Sequence, residues 1–176
     1  MSDPQPGSHR HPHRRAAPIR VATWVLSVSD TRTLETDTGG ARVAELLAAA
    51  GHSVAGREIV PDDAPAIAAA LRAALGREGV DAVILTGGTG VAPRDVTPDA
   101  VEPLLERVVP GFGELFRLLS YQEIGSAAML SRALAGLAAG RVVFVLPGSR
   151  GAVQLGMERL VLPEIGHLLG EARKTR

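Results

Sequence analysis

The chain of 176 residues contains no cysteine. Disulfides, a thiolate nucleophile and cysteine-ligated zinc are therefore excluded. Lysine is almost missing too, since Lys174 is the only lysine among the 19 basic residues. Phosphate binding by side chains would fall to arginine, and otherwise to backbone N–H groups. Aromatic residues make up 3% of the chain against 45% for all hydrophobic types, so the core must be built from Ala, Val, Leu and Ile. Acidic and basic residues balance at 19 each. That neutrality argues against nucleic-acid binding, which needs a basic face. No apolar run approaches the ~20 residues of a membrane span, and the N-terminus lacks the apolar core of a signal peptide. A cytoplasmic protein with no membrane partner is the expectation.

What is present alternates. Residues 1–18 hold Pro, Gly, His, Ser and Arg with little to bury, which predicts a disordered tail. His9, His11 and His13 alternate within it, but nothing there preforms a metal geometry. From Ile19 onward the chain reads as one domain to residue 176. Val21–Val28, His52–Val60, Val80–Thr86 and Arg141–Leu146 read as strands. Ala41–Ala50, Ala66–Leu75, Ala100–Val108, Glu114–Leu119, Gly125–Leu137, Gly151–Leu160 and Leu162–Ala172 read as helices. Continuous apolar strands alternating with helices signal a parallel sheet covered on both faces.

Ligands of such sheets bind outside the carboxyl ends of the strands. Four strand ends here carry chemistry: Ser27, Ser29 and Asp30; Asp62 and Asp63; the loop Gly87-Gly88-Thr89-Gly90 through Asp95; and Pro147-Gly148-Ser149. Glycines let a backbone approach a phosphate closely, and helix N-termini favour anions. Aspartates supply the oxygen donors that Mg²⁺ prefers. The set suits a phosphorylated ligand with Mg²⁺ between phosphate and carboxylate. One of Asp62 and Asp63 is expected to cap the following helix, leaving the other free. Thr97-Pro98-Asp99 reads as an N-cap, N1 and N2 series. Asp95 lies too early to cap that helix. Asp30 fits an Asx turn as well as a site, and Gly148 and Ser149 fit a turn and helix cap equally well. There is no Gly-x-x-x-x-Gly-Lys-Ser/Thr and no Gly-x-Gly-x-x-Gly after the first strand, which disfavours a P-loop and a Rossmann site. The only histidines after the tail, His52 and His167, lie in peripheral segments, which disfavours a Ser-His-Asp hydrolase.

The runs LTGGTGVAPRDVTPDA, PGFGELFR, IGSAAMLSR and VLPGS, with Ser29-Asp30-Thr31-Arg32 and Asp37-Thr38, occur here in order. Together they resemble the MoaB/Mog family of molybdenum-cofactor biosynthesis over roughly Arg20 to Ala172. The resemblance implies a three-layer, mostly parallel α/β fold that usually forms homotrimers. It implies a molybdopterin adenylyltransferase, whose substrates are ATP and molybdopterin, whose by-product is pyrophosphate and whose cofactor is Mg²⁺. It places the catalytic, metal-linked aspartates on Asp62 and Asp95. Substrate contacts are implied at Ser29, Asp30, Gly87, Gly88, Thr89, Gly90, Gly111, Glu114, Ser131, Arg132, Pro147, Gly148 and Ser149. Other molybdenum-cofactor biosynthesis proteins are implied as partners. Many members carry Asp-Thr-Ser-Gly where this chain has Asp37-Thr38-Gly39-Gly40, so one hydroxyl is missing here. Two alternatives compete: a molybdopterin or cofactor binding protein or trimeric scaffold without catalysis, and another nucleotide-dependent enzyme on the same fold. Intact Asp62 and Asp95 favour the adenylyltransferase, since a pure carrier needs no metal carboxylates.

Overall fold

In the third strand, Ala82 and Ile84 face one side of a sheet while Val83 and Leu85 face the other, and all four are buried. A strand apolar on both faces must be covered on both. The computed structural model, which describes residues 19–174, shows how this is done. The expected tail and its three histidines lie outside the described residues. Six strands, β1 (Ala22–Val28), β2 (Ser53–Val60), β3 (Ala82–Thr86), β4 (Arg107–Val108), β5 (Leu134–Ala138) and β6 (Arg141–Leu146), form one sheet in the order β2-β1-β3-β6-β5-β4. The first four in that order run parallel, and β5 and β4 add an antiparallel edge.

Helices α1 (Thr38–Ala49), α4 (Pro110–Ile124), α5 (Arg150–Gly156) and α6 (Leu162–Ala172) cover one face, packing on Val25, Ile84, Phe144 and Leu146. Helices α2 (Ala64–Leu75) and α3 (Thr97–Val101) cover the other, packing on Leu26, Val83, Val143 and Val145. The result is the expected three-layer α/β architecture. A π-helical turn at Met157–Val161 joins α5 to α6.

Three elements differ from the sequence reading. The expected helix Ala100–Val108 stops early: after α3 comes a 3₁₀ turn, Glu102–Leu104, and then β4. Pro103 cannot donate to a preceding carbonyl, which favours the tight turn over a continued helix. The short helix at Glu114–Leu119 is longer, because Pro110 initiates α4 rather than breaking the chain. Finally, Gly125–Leu137 is not helical throughout. A 3₁₀ stretch, Gly125–Leu130, precedes β5. β5 and β6 are joined by Ala139 and Gly140, with φ of 51° and 67°. Such a two-residue hairpin usually carries Asn-Gly or Gly-Gly, and Ala139 hides it. Gly136 is required in β5, because a side chain there would meet the Arg107 carbonyl oxygen at 2.7 Å.

The two phenylalanines near Pro110-Gly111 are core residues. Phe112 lies 5.4 Å from Phe144, ring centre to ring centre, beneath α4. Leu115 and Glu114 face outward on the same helix. With so few aromatics, Phe144 anchors the α4 side, and Phe144→Ala is expected to cost about 4 kcal/mol by transfer and cavity terms. Urea denaturation should show a lower midpoint with an unchanged slope.

Candidate functional site

Parallel register brings the strand ends together. Ser27 of β1 is level with Thr86 of β3 and Ile59 of β2, and Thr86 is level with Leu146 of β6. The chain therefore leaves four neighbouring strands side by side. At Gly87 the backbone donates N–H to the Leu146 carbonyl at 3.0 Å. Its φ is 103°, and a side chain there would lie 2.4 Å from the Val28 carbonyl oxygen. Gly148 lies directly against Gly87, since a Cβ at Gly148 would be 3.2 Å from the Gly87 Cα. Gly39, at the start of α1, would place a Cβ 3.1 Å from the Gly148 carbonyl oxygen. The hydroxyl missing from the Asp37-Thr38-Gly39-Gly40 motif is thus missing at a crowded junction.

The glycine loop is fixed from behind by Arg132. Its Nε donates to the Gly90 carbonyl at 2.8 Å, its Nη1 to both Asp99 carboxylate oxygens at 3.0 and 2.9 Å, and its Nη2 to the Asp95 carbonyl. Its backbone N–H donates to the Thr89 carbonyl at 2.9 Å. These contacts make Arg132 a positioning residue for the loop. Asp95 does not pair with Arg94 in the described contacts. Its Oδ2 accepts the Ala92 N–H at 2.9 Å and lies 2.6 Å from where a Cβ at Gly90 would sit.

Asp62 lies beside the same loop. A Cβ at Gly88 would lie 3.2 Å from its Oδ1. The neighbouring Asp63 is the helix cap, accepting the Ala66 N–H at 3.0 Å, so Asp62 is the free one of the pair. Asp30 does not close a local Asx turn. Its Oδ1 accepts the Asp62 N–H at 3.0 Å and ties the β1 end to the β2 end. Ser29 Oγ accepts the N–H groups of Thr31 and Arg32, both at 3.3 Å, and shapes the loop after β1. Burial raises the pKa of Asp62 above the usual carboxylate value, the charges of Asp30 and Asp95 add to that effect, and the Arg94 charge opposes it in part. Negative charge is therefore concentrated beside Gly88. Ser149 caps α5, accepting the Ala152 N–H at 3.3 Å, next to Gly148 and Pro147.

Not every expected residue joins this group. Glu114 is exposed on α4, and among the described residues no hydrogen bond links Gly111 or Glu114 to the strand ends. Ser131 meets the site only through its neighbour Arg132, and its carbonyl accepts from Arg117 at 3.4 Å. Thr97 is not an N-cap: α3 starts at Thr97, Val96 precedes it, and no side chain caps that end. The Thr97 N–H donates instead to the Gly88 carbonyl at 3.1 Å.

A second network escaped the sequence reading. Asp37 is 3% exposed, and its carboxylate accepts from Ser27 Oγ at 2.6 Å, from the Gly40 N–H at 2.9 Å and from Arg57 Nη2 at 2.9 Å. Thr86 Oγ1 lies 3.4 Å from Ser27 Oγ and extends the chain across β1 and β3. The available signal was Arg57, a charged residue within a strand, but its partner is twenty residues away and spacing does not reveal it. Burial alone would raise the Asp37 pKa, but the Ser27, Gly40 and Arg57 contacts outweigh it and hold it below the usual range. Charge on Asp37 therefore stabilises the fold above about pH 4, and that stability is lost as pH falls through the lowered native value. Asp37→Ala is expected to cost about 3 kcal/mol at pH 7, because it strands a partly buried guanidinium. Denaturation measured from pH 7 into acid should show the gap to the parent protein narrowing.

Residues 24–167 match the family described as "Probable molybdopterin binding domain". The chain is 51% identical over 165 residues to molybdenum cofactor biosynthesis protein B of Halalkalibacterium halodurans, covering 93% of this chain and 97% of that protein. The Bacillus subtilis protein of the same name is 49% identical over 93% of this chain and 97% of its own length. The crystal structure of a molybdenum cofactor biosynthesis protein B superposes with a TM-score of 0.88 at 50% identity, over 91% of this chain and all of that one (100%). The Pyrococcus furiosus tungsten cofactor synthesizing protein MoaB gives 0.80 at 38% identity, over 90% and 100%. With one sheet order, one set of strand-end loops and these likenesses over nearly its whole described length, the chain belongs to the MoaB/Mog family of molybdenum-cofactor biosynthesis proteins.

Proposed function

We propose that this chain is a molybdopterin adenylyltransferase working in the cytoplasm on ATP and molybdopterin. The observation that carries the reading is the placement of Asp62 and Asp95 beside one glycine loop, at Gly88 and Gly90, close enough for their charges to act on one another. In the reaction, a terminal phosphate oxygen of molybdopterin forms a bond to the α-phosphorus of ATP. The bond from that phosphorus to the bridging oxygen breaks, and pyrophosphate leaves with the electron pair. Transfers of this kind need positioning and charge neutralisation rather than a covalent nucleophile, which agrees with a chain that has no cysteine.

The residues present fit Mg²⁺ in a particular way. Among the described residues, no three His, Asp or Glu side chains converge as a ready cage. Mg²⁺ is commonly held by one or two carboxylates together with substrate phosphates. Asp62 and Asp95 are such a pair, both oxygen donors, in a place where negative charge has already accumulated. Mg²⁺ arriving with ATP would neutralise phosphate charge there. The chain's own contribution is to present backbone at Gly87–Gly90 and Gly148 without obstructing side chains, with Arg132 holding the loop still.

The assay is direct: purified protein, MgATP and molybdopterin, followed by detection of adenylylated product. Asp95→Asn is expected to keep the fold and to lower turnover about a hundredfold or more. Full activity of that variant would remove Asp95 from the mechanism. Pyrophosphate release without adenylylated product would favour a different nucleotide-dependent reaction, and ligand binding with neither would favour a carrier.

The working form is a homotrimer in this reading. Leu115, Leu118, Tyr121 and Ile124 form an exposed row on α4, continued by Met129 and Leu130. A contiguous apolar surface of this kind marks a contact site. Light scattering should give three times the chain mass, and Leu118→Asp should shift it to the monomer. A parent protein that scatters as a monomer would defeat the proposal.

A further inference from the structure

The Thr97 side chain is a buried, unpartnered polar group beside the free carboxylate of Asp62. Thr97 is 0% exposed, and its Oγ1 has no hydrogen-bond partner among the described residues. A buried hydroxyl without a partner is costly, so its retention calls for a reason. Its surroundings supply one. A Cβ at Gly88 would lie 2.3 Å from Thr97 Oγ1 and 3.2 Å from Asp62 Oδ1. The two oxygens thus flank the same point over Gly88, within the span that one bridging water closes or a small side-chain rotation shortens. The Thr97 N–H is already engaged with the Gly88 carbonyl at 3.1 Å, so the residue is anchored while its hydroxyl stays free.

We propose that Thr97 is a positioning residue of this site: its hydroxyl donates to the Asp62 carboxylate and fixes it over Gly88 when nucleotide and cation are bound. The inference deepens the adenylyltransferase reading and rests on it. A carboxylate that must hold a cation needs its second oxygen restrained, and a hydroxyl is the right restraint because it adds a donor without adding charge. Other groups near Asp62 do not do this. Asp30 accepts from the Asp62 backbone N–H, Asp95 brings like charge, and Arg94 acts on Asp62 through its charge without a hydrogen bond to it among the described contacts. Gly88 has no side chain that could intervene, and one would collide with Thr97 Oγ1.

The test uses two substitutions that separate the hydroxyl from the methyl group. Thr97→Val keeps the shape and removes the donor. Thr97→Ser keeps the donor and removes the methyl. Isothermal titration of the full chain with MgATP is expected to show Thr97→Val about tenfold weaker than the parent and Thr97→Ser within about twofold, as for one hydrogen bond to a charged group. With ATP and EDTA the Val variant and the parent should bind alike, because the effect runs through the cation-holding carboxylate. In thermal melts of the free protein, Thr97→Val should be at least as stable as the parent, since no formed hydrogen bond is lost. Equal MgATP affinity of Thr97→Val and the parent overturns the inference. So does a loss in Thr97→Val that persists with EDTA, or one that accompanies a lower melting temperature, since either marks a structural role. A parent protein that binds no MgATP overturns the adenylyltransferase reading itself, an outcome distinguishable from the others because it precedes any substitution.

Discussion

At Gly87 three backbones meet with no room for a side chain. The Val28 carbonyl lies on one side and Gly148 on another, while the N–H of Gly87 is bonded to Leu146. This close approach lets the ends of β1, β3 and β6 share one level, and the remaining geometry of the carboxyl edge follows from it. Gly39 brings the start of α1 against Gly148, and α5 begins at the Ser149 cap beyond it. A methyl group at Gly87 would strain φ and push against a carbonyl of a central strand, where the neighbouring elements are packed on both faces.

The charges follow a division of labour. Arg132 is bonded to loop carbonyls and Asp99, Arg57 to Asp37, and Arg141 to the carbonyls of Val80, Ala139 and Arg77. These guanidinium groups hold the protein together. The carboxylates of Asp30, Asp62 and Asp95 instead gather at the loop and repel one another. In the proposed reaction phosphate recognition would fall to backbone N–H groups and to a cation brought by the ligand, which agrees with a neutral chain carrying one lysine. The described groove between α4 and α5, about 430 Å³, is a poor alternative site. Leu155 and Gly151 line it together with Glu123, Arg150, Gln154, Glu158 and Arg159, and Gln154 is already bonded to Glu158 and Arg42.

The parallel half of the sheet was legible because its strands are unbroken apolar runs, a pattern that only two-sided cover satisfies. The antiparallel edge was not. β4 is two residues long, β5 is built from Leu, Ala and Gly, and the turn between β5 and β6 uses Ala139 where Asn or Gly would have announced it. Small residues are compatible with helix, so only pairing with β6 decides the matter. At the site, strand ends could be read as neighbours from the fold class alone. That one of Asp62 and Asp63 caps the next helix followed from its start, but only the structure shows that the cap is Asp63 and the free carboxylate Asp62. The partners of Asp37, Arg132 and Asp30 could not be read this way, because each contact joins segments set adjacent only by the sheet order. Thr97 shows the limit most sharply, since its sequence suits a cap while the fold gives its N–H to Gly88 and leaves its hydroxyl without a partner among the described residues.

Like charges beside Gly88 and an unpaired hydroxyl beneath it both raise the free energy of the ligand-free chain, whereas nearly everything around them is satisfied. Local rules are broken here and kept nearby, as expected where a site is held ready for something else. Asp62 illustrates the logic. Burial and its acidic neighbours make its charge costly in the free protein, and a cation would remove that cost. An arginine in the same place would also neutralise the charge, but permanently, leaving the carboxylate nothing to offer. The chain instead commits Arg132 to the loop carbonyls of Gly90 and Asp95 and to Asp99, so the loop is held while the Asp62 carboxylate is met only in part, by the charge of Arg94. Holding the loop and offering a carboxylate are thus tasks of different side chains, and the absence of side chains at Gly87, Gly88 and Gly90 leaves room for both.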